Sequence, residues 1–185
     1  MKIKYLLLVA ALFTASSQTA SAQAYKTFLK IEGITGSSAS DGHQGEIDVL
    51  SYKAGVVQKA LANFAGGGAS AATSDFKPLT IFKAIDLATP PLLVSCAVGQ
   101  HFPTATLSIF KLTNGVLRPF FKIVLSDVVI ASVNEDSDTT DQTGVLVETV
   151  SLSYSKIQWT FSYQNSQGNF TDETIGFDVK ANKKF

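Results

Sequence analysis

Along most of this chain apolar and polar residues alternate with a period of two. Ile157-Gln158-Trp159-Thr160-Phe161-Ser162-Tyr163 alternates without exception, as a half-buried strand does. Val150, Leu152 and Tyr154 alternate with Thr149, Ser151 and Ser153 in the same way, but out of phase with the first stretch. A one-residue slip turns every side chain to the other face, so the pattern predicts a bulge or tight turn near Ser155-Lys156. Further strands are predicted over Thr27–Glu32, Glu46–Lys53, Leu79–Asp86, Thr104–Leu112, Phe120–Val133 and Thr174–Lys180. Phe120-Phe121-Lys122-Ile123-Val124-Leu125 is apolar on both faces, which calls for cover on both sides by a second sheet layer or another subunit.

One segment breaks the period. Thr89-Pro90-Pro91-Leu92-Leu93-Val94-Ser95-Cys96-Ala97-Val98-Gly99 predicts a short helix with Thr89 as N-cap, Pro in its first turn and Gly past its end. It would cap the open end of a barrel. The fold class is therefore all-β, mainly strands with one short α-helix, in a sandwich or barrel. Leu92 and Cys96 share a helix face, so Cys96 reads as a small buried apolar residue. A reactive thiol would need a basic neighbour that the sequence does not supply there.

The first residues have a different character. Lys2 and Lys4 precede the apolar run Tyr5–Phe13, and small residues follow it up to Ala20-Ser21-Ala22. That is the pattern of a secretory signal peptide over residues 1–22, leaving a single domain over 23–185. The other reading, a membrane anchor, meets the difficulty that nine apolar residues do not cross ~30 Å of hydrocarbon. No later segment is long and apolar enough to span a bilayer, so the mature chain is expected to be exported, periplasmic or secreted, without stable membrane insertion. Of 185 residues, 15 are basic and 15 acidic; without the leader, 13 basic side chains face 15 acidic ones, net −2. With Arg118 as the only arginine, this balance argues against a nucleic-acid partner.

Candidate chemistry is sparse. Gly33–Gly45 links the first two strands, and Asn63–Ser74, with Gly66-Gly67-Gly68, reads as a flexible excursion. A phosphate cradle would need a strand before it, a helix after it and a Lys-Ser/Thr pair. Asn134–Thr143 carries Glu135, Asp136, Asp138 and Asp141 and reads as a solvated acidic turn; a calcium loop would carry the Gly and terminal Glu of an EF-hand. The histidines, His43 and His101, have no zinc-ligand spacing, and no Gly-x-Ser-x-Gly elbow accompanies the many serines. The expectation is no enzyme, no metal and no cofactor.

Phe28-Leu29-Lys30-Ile31-Glu32-Gly33-Ile34, Gly36-Ser37-Ser38 and Glu46-Ile47-Asp48-Val49-Leu50-Ser51-Tyr52 resemble the opening of the hemolysin-coregulated proteins, Hcp. The resemblance continues through Phe82–Pro90 and Leu92, then Leu125–Ser132. It is most specific over Glu148–Thr160, where the family usually has Gly at the position of Ser155. Matching segments run in order from about Tyr25 to Val179. The resemblance implies a small two-sheet β-barrel, six copies of which close into a ring. It further implies rings that stack into the tube of a type VI secretion system, a lumen able to carry effectors, and sheath and spike partners. Ser155 stands where the family has Gly, so the φ > 0 geometry that Gly supplies is expected to be strained or differently built there. Candidate ring or stacking contacts are Ile34, Ser37, His43, Phe64, Phe76, Phe120 and Phe121. The leader adds a second reading, an exported Hcp-like interaction protein outside any working tube; a secreted enzyme on the same barrel is the third.

Overall fold

The computed structural model describes residues 25–58, 74–113, 115–140 and 144–185, with only the backbone for 136–140. Residues 1–24, Phe64 and most of the Asn63–Ser74 excursion lie outside them. Among the described residues nine strands and one helix follow one another: β1 Tyr25–Ile31, β2 Ile47–Val49, β3 Ser51–Gln58, β4 Ser74–Ala84, α1 Thr89–Val98, β5 His101–Thr113, β6 Val116–Thr140, β7 Leu146–Gln164, β8 Phe170–Asp178 and β9 Lys183–Lys184.

All pairings are antiparallel, in the order β2-β1-β5-β6-β7-β4-β3. The two ends of this path are consecutive in sequence. The expected strand Glu46–Lys53 divides at Leu50: Ile47–Val49 pairs with β1, and Ser51–Gln58 pairs with β4. The Leu50 amide donates to Phe82 O at 2.8 Å, so the segment changes partners without leaving the sheet and closes a barrel. Inward residues of β1, β2, β4, β5, β6 and β7 fill it, with Ile47, Leu79, Ile81, Leu107, Leu125, Val150 and Leu152 wholly buried, and β3 adds half-buried Tyr52. Such alternation is what the period of two encodes.

The phase slip in β7 has a different cause from the predicted bulge. β7 runs unbroken through Ser155-Lys156, and its pairing with β6 keeps one register from Phe121↔Phe161 to Ile130↔Leu152. β6 changes phase on the same rungs, its buried residues passing from Ile123 and Leu125 to Val128 and Ile130. Because both strands turn over together, neither slips against the other. Over Val147–Leu152 the outer neighbour of β7 is β4; over Lys156–Gln164 it is β8. The sheet forks between those spans, and the side that faces the core changes at the fork. The left-handed residue is Asp127 on β6 (φ 53°), while Ser155 has an ordinary φ. Asp is among the few non-glycine residues that tolerate this region.

Two further expectations need correction. β6 continues to Thr140, so most of the predicted acidic turn Asn134–Thr143 is strand, paired with the start of β7. The N-cap of α1 is Ala88, with no side-chain cap; Thr89 lies inside the helix because its hydroxyl is drawn to buried charges described below. Gly99 ends the helix as expected, at φ 63° with its amide on Cys96 O. The helix packs on β6 through buried Leu92, and half-buried Cys96 touches the core.

Candidate functional site

The chemistry-bearing side chains form three groups. In the first, Lys83 on β4 and Glu148 on β7 are cross-strand partners and fully buried. The ammonium meets Glu148 Oε1 at 2.5 Å, Asp86 Oδ1 at 2.7 Å, Ala84 O at 2.8 Å and Thr89 Oγ1 at 3.2 Å. Thr89 donates to the same Glu148 oxygen at 2.9 Å. Asp86 accepts from the amides of Ala88 and Ser37, and the Ser37 hydroxyl accepts from Leu87 N. One ion-paired network thus fastens the Gly33–Gly45 loop, the start of α1 and the β4–β7 ladder together. Within it Glu148 Oε1 is doubly engaged, whereas Glu148 Oε2 is buried without a hydrogen-bond partner among the described residues.

The second group surrounds Asp127. Its carboxylate accepts from His101 Nδ1 at 2.9 Å, Ser155 Oγ at 2.5 Å and Lys180 Nζ at 2.8 Å. These donors, Lys180 foremost, hold the carboxyl well below the usual carboxylate range. Ser, His and Asp are all present, but a hydrolytic triad places the imidazole between hydroxyl and carboxylate. Here the carboxylate stands between the other two, so the imidazole is not placed to take the serine's proton. Among the described residues no cluster of three or more His, Cys, Asp or Glu could hold a metal.

The third group is an open aromatic groove of about 680 Å³ where β5, β6, β7 and β8 end. Tyr25, Phe120, Phe161 and Tyr163 form a chain of rings with centroids 5.2, 5.5 and 6.0 Å apart. Arg118 lies over Phe170 at 5.3 Å. Phe161, Tyr163 and Phe170 are 42%, 39% and 51% exposed, a cost in water unless something covers them.

The candidate contact residues divide accordingly. Phe120 lies within the aromatic groove. Phe121 is half-buried and faces a second cleft of about 350 Å³ with Tyr52, Tyr154 and Trp159. Burial pushes the Tyr154 phenol up to about 12, and its hydroxyl donates to Lys77 O. Phe76 stacks on Phe177 at 4.9 Å. Ile34 packs in the core and anchors its loop. Ser37 is exposed but engaged in the ion network. His43 stacks on Phe28 at 4.2 Å, edge-on to Phe110, with Nδ1 2.7 Å from Glu46. The sequence reading missed Arg118 as a site residue. The signal was the Asn114-Gly115 dipeptide, a hairpin marker that sets Thr113 opposite Val116 and Lys111 opposite Arg118.

A family profile described as "Type VI secretion system effector, Hcp" matches residues 28–161. The chain belongs to the Hcp family. It is 31% identical to protein hcp1 of Pseudomonas aeruginosa over 141 residues, 76% of this chain and 85% of that one. The Hcp1 crystal structure from Salmonella typhimurium shares 33% identity with a TM-score of 0.70, covering 88% of this chain and 99% of its own. A solved type six secretion system protein, 24% identical, superimposes with a TM-score of 0.76 over 88% of this chain and all of that one, and supports the fold alone. The family description and the names of these neighbours place them in type VI secretion, and the chain shares their fold over nearly their whole length.

Proposed function

We propose that this Hcp protein is a non-enzymatic tube subunit, assembling as hexameric rings that stack and whose lumen carries effectors, with sheath and spike proteins as further partners. Family membership supports the reading, and the observation that carries it is the exposed aromatic groove on an otherwise well-filled barrel. A conduit needs self-complementary surface, and rings of this exposure at the end of four strands are covered when copies meet. Phe120 belongs to that surface. Sedimentation velocity and negative-stain microscopy on the purified protein test it: six-fold rings are expected, and a strict monomer at high concentration would overturn it.

A second reading is favoured by the Lys2/Lys4, Tyr5–Phe13 and Ala20-Ser21-Ala22 pattern. In it the leader is removed, and a periplasmic or secreted Hcp-like protein acts outside a tube built in the cytoplasm. Mass spectrometry of the N-terminus after fractionation separates the two. A start at Gln23 in the periplasm supports export, and an intact Met1 in cytoplasmic protein supports the tube.

A further inference from the structure

The inner face of the barrel continues past its last fully buried layer. Ile123 on β6 and Ile157 on β7 are buried, and two residues further along each strand Phe121 and Trp159 are only half-buried. Ile123 and Trp159 are cross-strand partners, so these side chains share one face. Across from them stands β3, which among the described strands pairs with β4 alone. The space between is the cleft of about 350 Å³. The β3–β4 register passes from Lys53↔Thr80 to Gly55↔Lys77, two residues on β3 against three on β4. The extra residue therefore belongs to β4, and β3 keeps its alternation. Tyr52, Ala54 and Val56 share the face that lines the cleft. Ala54 contributes one methyl there and is exposed, so the opening is set by a small residue where a larger one would fill it. Protein interiors pack to crystal density, and an apolar gap of this size at the mouth of a barrel is where small ligands bind.

The walls prescribe the chemistry of an occupant. Among the described residues no charged side chain lines the cleft. Lys53 and Lys77 border a separate recess, the first over the Phe82 ring at 5.1 Å and the second paired with Asp75 at 2.7 Å. An ion entering the cleft would shed water and gain no partner. Phe121, Tyr154 and Trp159 offer ring faces and edges that suit a flat aromatic body. One polar group is unengaged. The Tyr154 hydroxyl donates to Lys77 O, whereas the Tyr52 hydroxyl has no hydrogen bond among the described residues. Burial pushes the Tyr52 phenol up, so it stays protonated and able to donate.

The geometry points to a binding site between β3 and the β6–β7 ladder for a small, uncharged, flat aromatic molecule whose acceptor oxygen takes the Tyr52 hydroxyl. The site is independent of whether copies of the chain form a tube. 2-Acetylnaphthalene has this make-up, 2-ethylnaphthalene lacks the acceptor, and 2-naphthoate adds a charge. In equilibrium dialysis against the full-length protein the ketone saturates at one molecule per chain. Ethylnaphthalene binds about fivefold more weakly for want of one hydrogen bond, and naphthoate about tenfold more weakly or worse. The indole N–H resonance of Trp159, the only tryptophan, shifts over the same ketone concentrations. Y52F removes the preference for the ketone and leaves ethylnaphthalene binding unchanged. A54L fills open space, keeps the parent's melting temperature and abolishes binding of both. The site is overturned if the ketone shows no saturable binding, if naphthoate matches it, or if A54L binds as the parent does. A ketone preference that survives in Y52F overturns the role of Tyr52. Rings that form without binding the ketone would leave the tube reading standing and remove this one.

Discussion

Replacing Lys83 by Met tests how the barrel tolerates its buried charges. Met approximates the length of the lysine stem but leaves Glu148 as an isolated carboxylate. Glu148 Oε1 would keep only the Thr89 hydroxyl, and Oε2, already buried without a hydrogen-bond partner, gains none. Breaking a buried pair from one side costs about 3–5 kcal/mol. With a urea slope of roughly 2 kcal/mol per molar, the unfolding midpoint falls by about 2 M. E148M is milder, because the ammonium retains Asp86 at 2.7 Å and Ala84 O at 2.8 Å; the expected loss is about 1–3 kcal/mol. The K83M/E148M pair removes both charges and lies closer to the parent than K83M does, since well-packed apolar replacements of buried ion pairs are commonly near neutral. Urea titrations followed by Trp159 fluorescence measure all three. The reasoning is refuted if K83M costs under about 1 kcal/mol, or if the double variant is less stable than K83M.

Gly36→Ala drives a Cβ into Glu46 O and to 2.7 Å from Ile47 N, both backbone, so the loop that pairs Gly36 with Gly45 must move. A loss of about 1–3 kcal/mol is expected by thermal denaturation. Gly176→Ala meets only the ring of Phe185 at the chain end, which swings aside, so the melting temperature should hardly change. Asp127 and Asp178 both have depressed carboxyl pKa values, held down by Lys180 and by the Ala181 amide respectively. Their stabilisation is complete above the unfolded value of about 4 and is lost as pH falls towards the folded values. D127N should accordingly flatten the decline in melting temperature between pH 4 and 2, and an unchanged slope would count against the Asp127 cluster. Leu92→Ala should cost about 2–5 kcal/mol by urea unfolding, with α1 loosening from β6.

The strands were legible because a half-filled sheet must alternate, and the closing glycine of α1 because only it takes φ 63° cheaply. The break at Leu50 left only a trace, since the alternation changes phase at Val49-Leu50 but nothing local says that the two halves serve different partners. The phase change at Ser155 was visible, but its mechanism depended on Asp127, 28 residues earlier in the chain, and on the strand pair turning over together. Thr89 looked like a cap because Thr before Pro-Pro is one; Lys83 and Glu148, distant in sequence, claimed its hydroxyl instead. Of the six proposed contacts among the described residues, Phe120 alone falls in the aromatic groove. Its neighbours there come from four strands, a juxtaposition that only the pairing order creates.

The division of one segment into β2 and β3 has a kinetic consequence. β3 and β4 can pair as soon as both have left the ribosome, but β4 finds its other partner only in Val147–Leu152 of β7. β1 likewise waits for Ala105–Lys111 of β5. The seam at Leu50 can therefore seal only when nearly the whole polypeptide has been synthesised. Such late, long-range pairing belongs to the slow end of two-state folding, milliseconds to seconds.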